Sequence, residues 1–225
     1  RVLSLYRRYA NIRMNLLPYI YNEACHVSGS GEPFMRHLLL DYPEDSNVYG
    51  IEDEYLFGRS LLVAPVIEEG RTERQVYLPE GKWLDFWDGV KYDGKTWVQY
   101  PCGIEKVPVF IKQGSVVPMN LDDEFKLGGS VGNSTRKYSN LCFLAAGMEE
   151  GAFAFADDLG NDILIRMEAG YLELSLNGNL RKIYLLVPEN EPVDFEGMES
   201  RTVRLNNFAC RLYEFEKGVT RARIN

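Results

Sequence analysis

The densest acidic cluster in the sequence is Glu52-Asp53-Glu54. Two carboxylates can act as acid and base, or as acid and nucleophile, when they face each other across a glycosidic bond. Three consecutive acids do not supply that geometry, because neighbouring side chains point apart. No catalytic pair is assigned from residue chemistry, and no substrate-binding residue either.

Other constellations allow chemistry but have plainer uses. Arg36 and His37 interrupt the apolar run from Pro33 to Leu40. An arginine in such a run cannot shed its charge and needs acceptors. Glu54 is the in-chain candidate, because its segment follows the run and could fold back over its end. His37 has no Ser, Cys or acidic partner at a catalytic spacing and reads as a satisfied core or edge histidine. Trp83, Phe86, Trp87, Tyr92 and Trp97 sit on adjacent predicted hairpins. Sugar rings stack on exposed tryptophans, yet filling a core is the commoner duty of aromatics. Asp157-Asp158-Leu159-Gly160-Asn161-Asp162 is rich enough in oxygen to suggest calcium, but it does not follow the alternating EF-hand pattern. It reads as a polar turn, with no metal. Gly29-Ser30-Gly31 lacks the third glycine and the preceding strand of a dinucleotide fingerprint, so no cofactor is expected.

The composition narrows the function classes. The 225 residues are 45% hydrophobic and 26% charged, as in a globular protein. The net charge of -8 argues against a nucleic-acid partner, which would want a basic patch. No apolar run approaches the ~20 residues that span a bilayer. Cys25, Cys102, Cys142 and Cys210 form no C-x-x-C pair and read as buried free thiols. Asn133-Ser134-Thr135 is a glycosylation sequon, relevant only to a secreted protein. The chain starts at Arg1 and not at methionine, and no signal peptide is seen. A cytoplasmic location is the default expectation.

The elements that must position these residues change character midway. Leu5, Tyr9, Ile12, Leu16, Ile20 and Ala24 recur at helical spacing and predict one helix over 1–28. Pro18 should kink or break it near Leu17, and Gly29 should end it. Pro33–Leu40 predicts a buried strand, so that helix, loop and strand read as α/β with a parallel sheet. Leu61–Val66 predicts a strand buried on both faces, with Pro65 at its end or at a bulge. Short strands and turns follow. Strands are predicted at 75–78, 82–87, 96–100, 107–112 and 116–119, with Asp88-Gly89 and Asp93-Gly94 as turns. A linker or long loop is expected over 121–139. Strands resume at 141–145, 152–156, 162–167, 171–176, 180–187, 201–205 and 210–215, with Asn177-Gly178 as a hairpin signal. The spacing points to antiparallel sandwiches.

Several stretches together resemble glycoside hydrolase family 31. Arg8-Tyr9 with Leu16-Leu17-Pro18-Tyr19-Ile20-Tyr21 is similar to its "RY…LLPYIY" helix. Pro33-Phe34-Met35-Arg36 resembles its "PVMRP" motif, with His37 departing from the final proline. Asp53-Glu54-Tyr55-Leu56-Phe57-Gly58 and Leu61-Leu62-Val63-Ala64-Pro65-Val66 resemble its "DEFMFG…LLVAPV". Val76-Tyr77-Leu78-Pro79-Glu80-Gly81-Lys82-Trp83 with Trp87-Asp88-Gly89 looks like "VYLPEGxWYDFWTG". Val107-Pro108-Val109-Phe110-Ile111 and Gly114-Ser115-Val116-Val117-Pro118 look like "IPVFVRxGSIIP". The matches run in order over roughly residues 6–119; beyond that, only Ala156-Asp157-Asp158-Leu159-Gly160 is similar to the family's "YEDDG" turn.

The resemblance implies a mainly β chain with an N-terminal α/β remnant. Residues 1–64 would end a (β/α)8 barrel. Residues 65–122 would form a proximal β-sandwich and 123–225 a distal β domain. It implies a retaining α-glycosidase whose partners are an α-linked oligosaccharide or glycoside and the upstream part of the same polypeptide. Both catalytic aspartates would lie upstream of Arg1, since neither a "WxDMNE" nor a "GDN" motif is found. The competing expectation is a free-standing carbohydrate-binding or structural β-sandwich.

Overall fold

The structure, a computed structural model, describes residues 1–147 and 150–224. It divides into two compact units: Glu23–Gln113, and Arg1–Asn22 together with Gly114–Asn225. The chain is mainly β, with few helices.

The expected single helix is two, α1 (Val2–Asn15) and α2 (Leu17–Ser30). The break falls at Leu16, with φ -82° and ψ 2°. Pro18 is the second residue of α2, a first-turn position where its absent N–H is no loss. The terminator is Gly31 and not Gly29. Gly31 has φ 77° and its N–H donates to the Val27 carbonyl at 2.9 Å, a left-handed cap. Arg7, Arg8 and Arg13 are exposed and Asn15 is fully buried; Cys25, expected as a buried thiol, is exposed.

In the Glu23–Gln113 unit the run Pro33–Leu40 is not one buried strand. It splits into β1 (Met35–His37) and the single helical turn α3 (Leu38–Asp41). His37 causes the split: its Nδ1 accepts from Leu39 N–H at 3.0 Å and caps the turn. β1 pairs antiparallel with β2 (Tyr55–Phe57), so the expected parallel sheet is absent here. The later elements are β3 (Leu61–Val63), β4 (Glu73–Leu78), β5 (Lys82–Asp85), β6 (Lys91–Asp93), β7 (Thr96–Pro101) and β8 (Val109–Lys112). Six strands form one antiparallel sheet in the order β1-β2-β3-β8-β5-β6, and β4 pairs with β7 apart from it. Leu62, Ala64, Val76, Leu78, Trp83, Tyr100 and Phe110 from both sheets share one core. Pro65 lies just beyond β3, where its missing donor costs nothing.

Asp88-Gly89 closes the β5–β6 hairpin. Asp93-Gly94 carries the chain from one sheet to the other instead, because β7 pairs with β4. Gly94 is held close: its N–H donates to Gly81 O at 2.8 Å, and an added Cβ would sit 2.0 Å from the Pro79 carbonyl.

The other unit contains β9 (Ser115–Leu121), β10 (Asn140–Ala146), β11 (Gly151–Ala156), β12 (Asp162–Glu168), β13 (Tyr171–Asn177), β14 (Lys182–Pro188), β15 (Ser200–Arg204), β16 (Ala209–Glu216) and β17 (Gly218–Arg223). They make a five-stranded sheet, β15-β16-β14-β10-β9, and a four-stranded one, β11-β12-β13-β17. The β10–β14 pair is parallel, an exception to the expected antiparallel pattern. Phe143, Phe155, Ile165, Leu174, Leu185 and Phe215 bring the two sheets onto one apolar core. Asn177-Gly178 is not a hairpin turn: β13 pairs with β12 and β17, while β14 lies in the other sheet.

The segment 122–139 is irregular, as expected of a loop, but it is pinned. Asn15 Nδ2 donates to Asn120 O at 2.8 Å and to Gly129 O at 3.1 Å, and Asn15 Oδ1 accepts from Gly128 N–H at 2.7 Å.

Candidate functional site

Glu54 sits where the chain enters β2. Its side chain is buried, and its Oε1 accepts from Tyr77 N–H at 2.9 Å and from Arg74 Nη2 at 3.3 Å. Its Oε2 has no hydrogen-bond partner among the described residues. Burial pushes the carboxyl up to about 7; the Tyr77 amide and the Arg74 charge oppose that, and Asp53 adds to it. Arg74 also meets Asp53 Oδ2 at 3.1 Å and donates to the Pro65 carbonyl.

The expected pairing of Arg36 with Glu54 does not occur. Arg36 makes a bidentate pair with Asp41, Nε and Nη2 each 2.8 Å from a carboxylate oxygen. The bend at His37 turns the chain into α3, and Asp41 comes within reach of the guanidinium five residues away. This pair raises the Arg36 pKa further. His37 is satisfied on both nitrogens, through Leu39 N–H and the Ile51 carbonyl at 2.6 Å.

Beside Glu54 lies an open cleft of about 530 Å³. Its lining includes Arg71, Arg74, Gln75, Trp97 and Gln99. β4 and β7 position four of these. Tyr77 faces Trp97 and Gln75 faces Gln99 across the strand pair. Trp97 is 49% exposed and lies 5.0 Å from the Tyr77 ring beneath it. Tyr77 is anchored by its hydroxyl, which donates to Asp45 Oδ2 at 2.6 Å and accepts from Asn47. Burial and the Asp45 bond push its pKa up to about 12.

The aromatic group therefore divides. Trp83, Phe86 and Trp87 are core, and Tyr92 packs edge-on to Phe110. Trp83 Nε1 donates to Pro79 O at 2.9 Å and Trp87 Nε1 to Val107 O at 2.7 Å. Asp85, buried under them, accepts from the N–H groups of Trp87 and Asp88 and from the Tyr100 hydroxyl. Trp97 alone of the group opens to the cleft.

Asp157 uses its carboxylate structurally. It accepts from Leu159 N–H, Asn161 N–H, Asn161 Nδ2 and the Tyr138 hydroxyl, at 2.8–2.9 Å. Among the described residues no group of three His, Cys, Asp or Glu side chains could hold a metal, and no helix is long and apolar enough to cross a membrane. Sequence reasoning missed Arg74 as the partner of Glu54, because nothing local to either residue marks the pairing. It also missed the ion pair of buried Glu23 with the partly exposed Arg59, at 2.8 Å.

Comparison with known proteins gives a consistent result. Residues 31–117 match the family model for the glycosyl hydrolase family 31 C-terminal domain. Over 162 residues the chain is 44% identical to an isomaltosyltransferase of Sporosarcina globispora, covering 72% of this chain and 15% of that protein. It is 32% identical over 154 residues to an alpha-xylosidase of Saccharolobus solfataricus, covering 68% of this chain and 20% of that protein. The chain thus spans a fifth or less of these relatives. Among solved structures it resembles the cycloalternan-forming enzyme from Listeria monocytogenes, crystallised with a pentasaccharide substrate. That likeness has a TM-score of 0.85 at 29% identity and covers 100% of this chain and 24% of that one.

Proposed function

Because residues 31–117 are a glycosyl hydrolase family 31 C-terminal domain, we propose that the chain is the C-terminal portion of a retaining α-glycosidase. Its activity is α-glucosidase-like, on an α-linked oligosaccharide or glycoside. The nucleophile and the acid/base belong to the upstream part of the same polypeptide. Residues 1–64 complete the catalytic barrel, 65–122 form the proximal sandwich and 123–225 the distal domain, with β1 to β3 continuing the sheet of β8, β5 and β6 across the first boundary. The observation that carries this reading is the ordered run of family motifs across residues 6–119, which encloses the family match over 31–117. The in-chain carboxylates agree with it. Glu54 is tied to Arg74 and Tyr77, Asp85 to Tyr100, and Asp157 to Tyr138, so these are occupied as structural acceptors.

A second reading has its own support. The relative at 44% identity is an isomaltosyltransferase. A retaining enzyme forms a covalent glycosyl intermediate, and a sugar hydroxyl can intercept it in place of water. Transfer and hydrolysis are then two fates of one intermediate.

The test has two parts. The native polypeptide should be far larger than the 25.8 kDa of this chain and should turn over an aryl α-glucoside. The purified 225-residue chain should not. Turnover by the short chain would overturn the proposal. Product analysis at high acceptor concentration separates the readings: longer oligosaccharides mark transfer, and free sugar alone marks hydrolysis.

A further inference from the structure

We infer that the cleft beside Trp97 is a saccharide-binding site, which takes a neutral pyranose unit of an α-linked glucan. That the ligand is an α-glucan rests on the proposed function; that it is a sugar rests on the residues.

Half of the Trp97 surface faces solvent. The ring is held rigidly, because Tyr77 lies against it and is itself fixed through Asp45 and Asn47. A rigid, exposed indole face suits the C–H face of a pyranose. Gln75 and Gln99 face each other on the neighbouring register pair. Their side chains are exposed and carry no hydrogen bond within the described residues. An amide offers both donor and acceptor, which is what a ring of hydroxyl groups requires.

The charges argue against an anionic ligand, because the lining sets Asp53, Glu54, Glu68 and Glu73 against Arg71 and Arg74. Arg71 pairs with Glu68 at 2.5 Å, and Arg74 is held by Asp53 and Glu54. No cationic side chain of the lining is left uncompensated, so the cleft has little to offer a phosphate or carboxylate. The volume of about 530 Å³ is within the range of small-ligand sites and fits one or two sugar rings.

The experiment uses the full-length protein and two variants, Trp97→Ala and the double change Gln75→Ala/Gln99→Ala. Each is run on native gels containing a soluble α-glucan polymer and assayed with an aryl α-glucoside. Both variants should bind the polymer about tenfold more weakly than the parent, while aryl-glucoside kcat/KM stays unchanged. Equal retention of parent and variants would overturn the site, as would a parent that is not retained. If Trp97→Ala loses retention and aryl-glucoside turnover together while the double glutamine variant keeps both, Trp97 is a packing residue and the site is wrong. Trp97-dependent retention in a parent that hydrolyses no α-glucoside would keep the site and sink the catalytic reading.

Discussion

Replacing Trp83 by alanine is expected to destabilise the protein by about 3–5 kcal/mol. Trp83 is fully buried in β5, where it faces Tyr92 on one side and Lys112 on the other. It packs in the core that both sheets of the Glu23–Gln113 unit share. Truncation removes an indole from close packing, and the surrounding strands cannot collapse to fill the space. It also deprives the Pro79 carbonyl of its donor, Nε1 at 2.9 Å. Trp97→Ala is the internal control, because that ring is half exposed and should cost far less. Urea unfolding of both variants gives the comparison. A Trp83→Ala cost within about 1 kcal/mol of the Trp97→Ala cost would show that the β5 core repacks freely.

Arg74→Met is expected to cost a similar amount, about 3–5 kcal/mol, but only where Glu54 is ionised. The change leaves a buried carboxylate facing one backbone amide, with Asp53 still beside it. The pH dependence follows from burial. Glu54 is raised from an ordinary 4.5 to about 7 in the folded protein. Between those values the folded state holds a proton that the unfolded chain releases. Parent stability therefore falls as pH rises from about 4.5 to about 7 and is level above that range. Removing the cation pushes Glu54 higher still, so the decline in Arg74→Met should continue past pH 7. Glu54→Gln should remove this slope. Thermal midpoints measured from pH 4.5 to 8.5 on the three proteins check it, and a Glu54→Gln profile parallel to the parent would show that another group sets the slope.

Much of this architecture was legible in the sequence, and the failures have physical causes. The strands at β3 to β5 and β7 to β16 announce themselves by apolar alternation or by continuous apolar runs. β17 does not, because Ala222 is its one fully buried residue and Val219 is 70% exposed. Backbone pairing with β13 holds it in place, and that is invisible to a hydrophobicity pattern. The run Pro33–Leu40 looks like a strand, but an imidazole captures a backbone amide and turns it into a helix. Turn dipeptides reveal a change of direction without naming the partner. Asp88-Gly89 closes a hairpin, and Asn177-Gly178 does not. At the candidate site, Glu54 stood out by its acidic neighbours, but its partner Arg74 lies 20 residues away on a strand of the other sheet. Trp97 was grouped with core aromatics because spacing within a hairpin does not reveal which face of the sheet is covered.

The Asn15 anchor has a consequence for how the chain acquires its structure. Asn15 bonds residues 105 and 114 positions away, and the unit it belongs to is interrupted by the whole of Glu23–Gln113. The interrupted unit must close a loop of about a hundred residues, whereas the inserted one is contiguous and can order first during synthesis. All three tryptophans, Trp83, Trp87 and Trp97, lie in the insert. Intrinsic tryptophan emission therefore watches the insert alone, while far-ultraviolet circular dichroism registers every strand. A refolding experiment followed by both signals should show emission settling before ellipticity; simultaneous traces would mean that the two units form in one cooperative step.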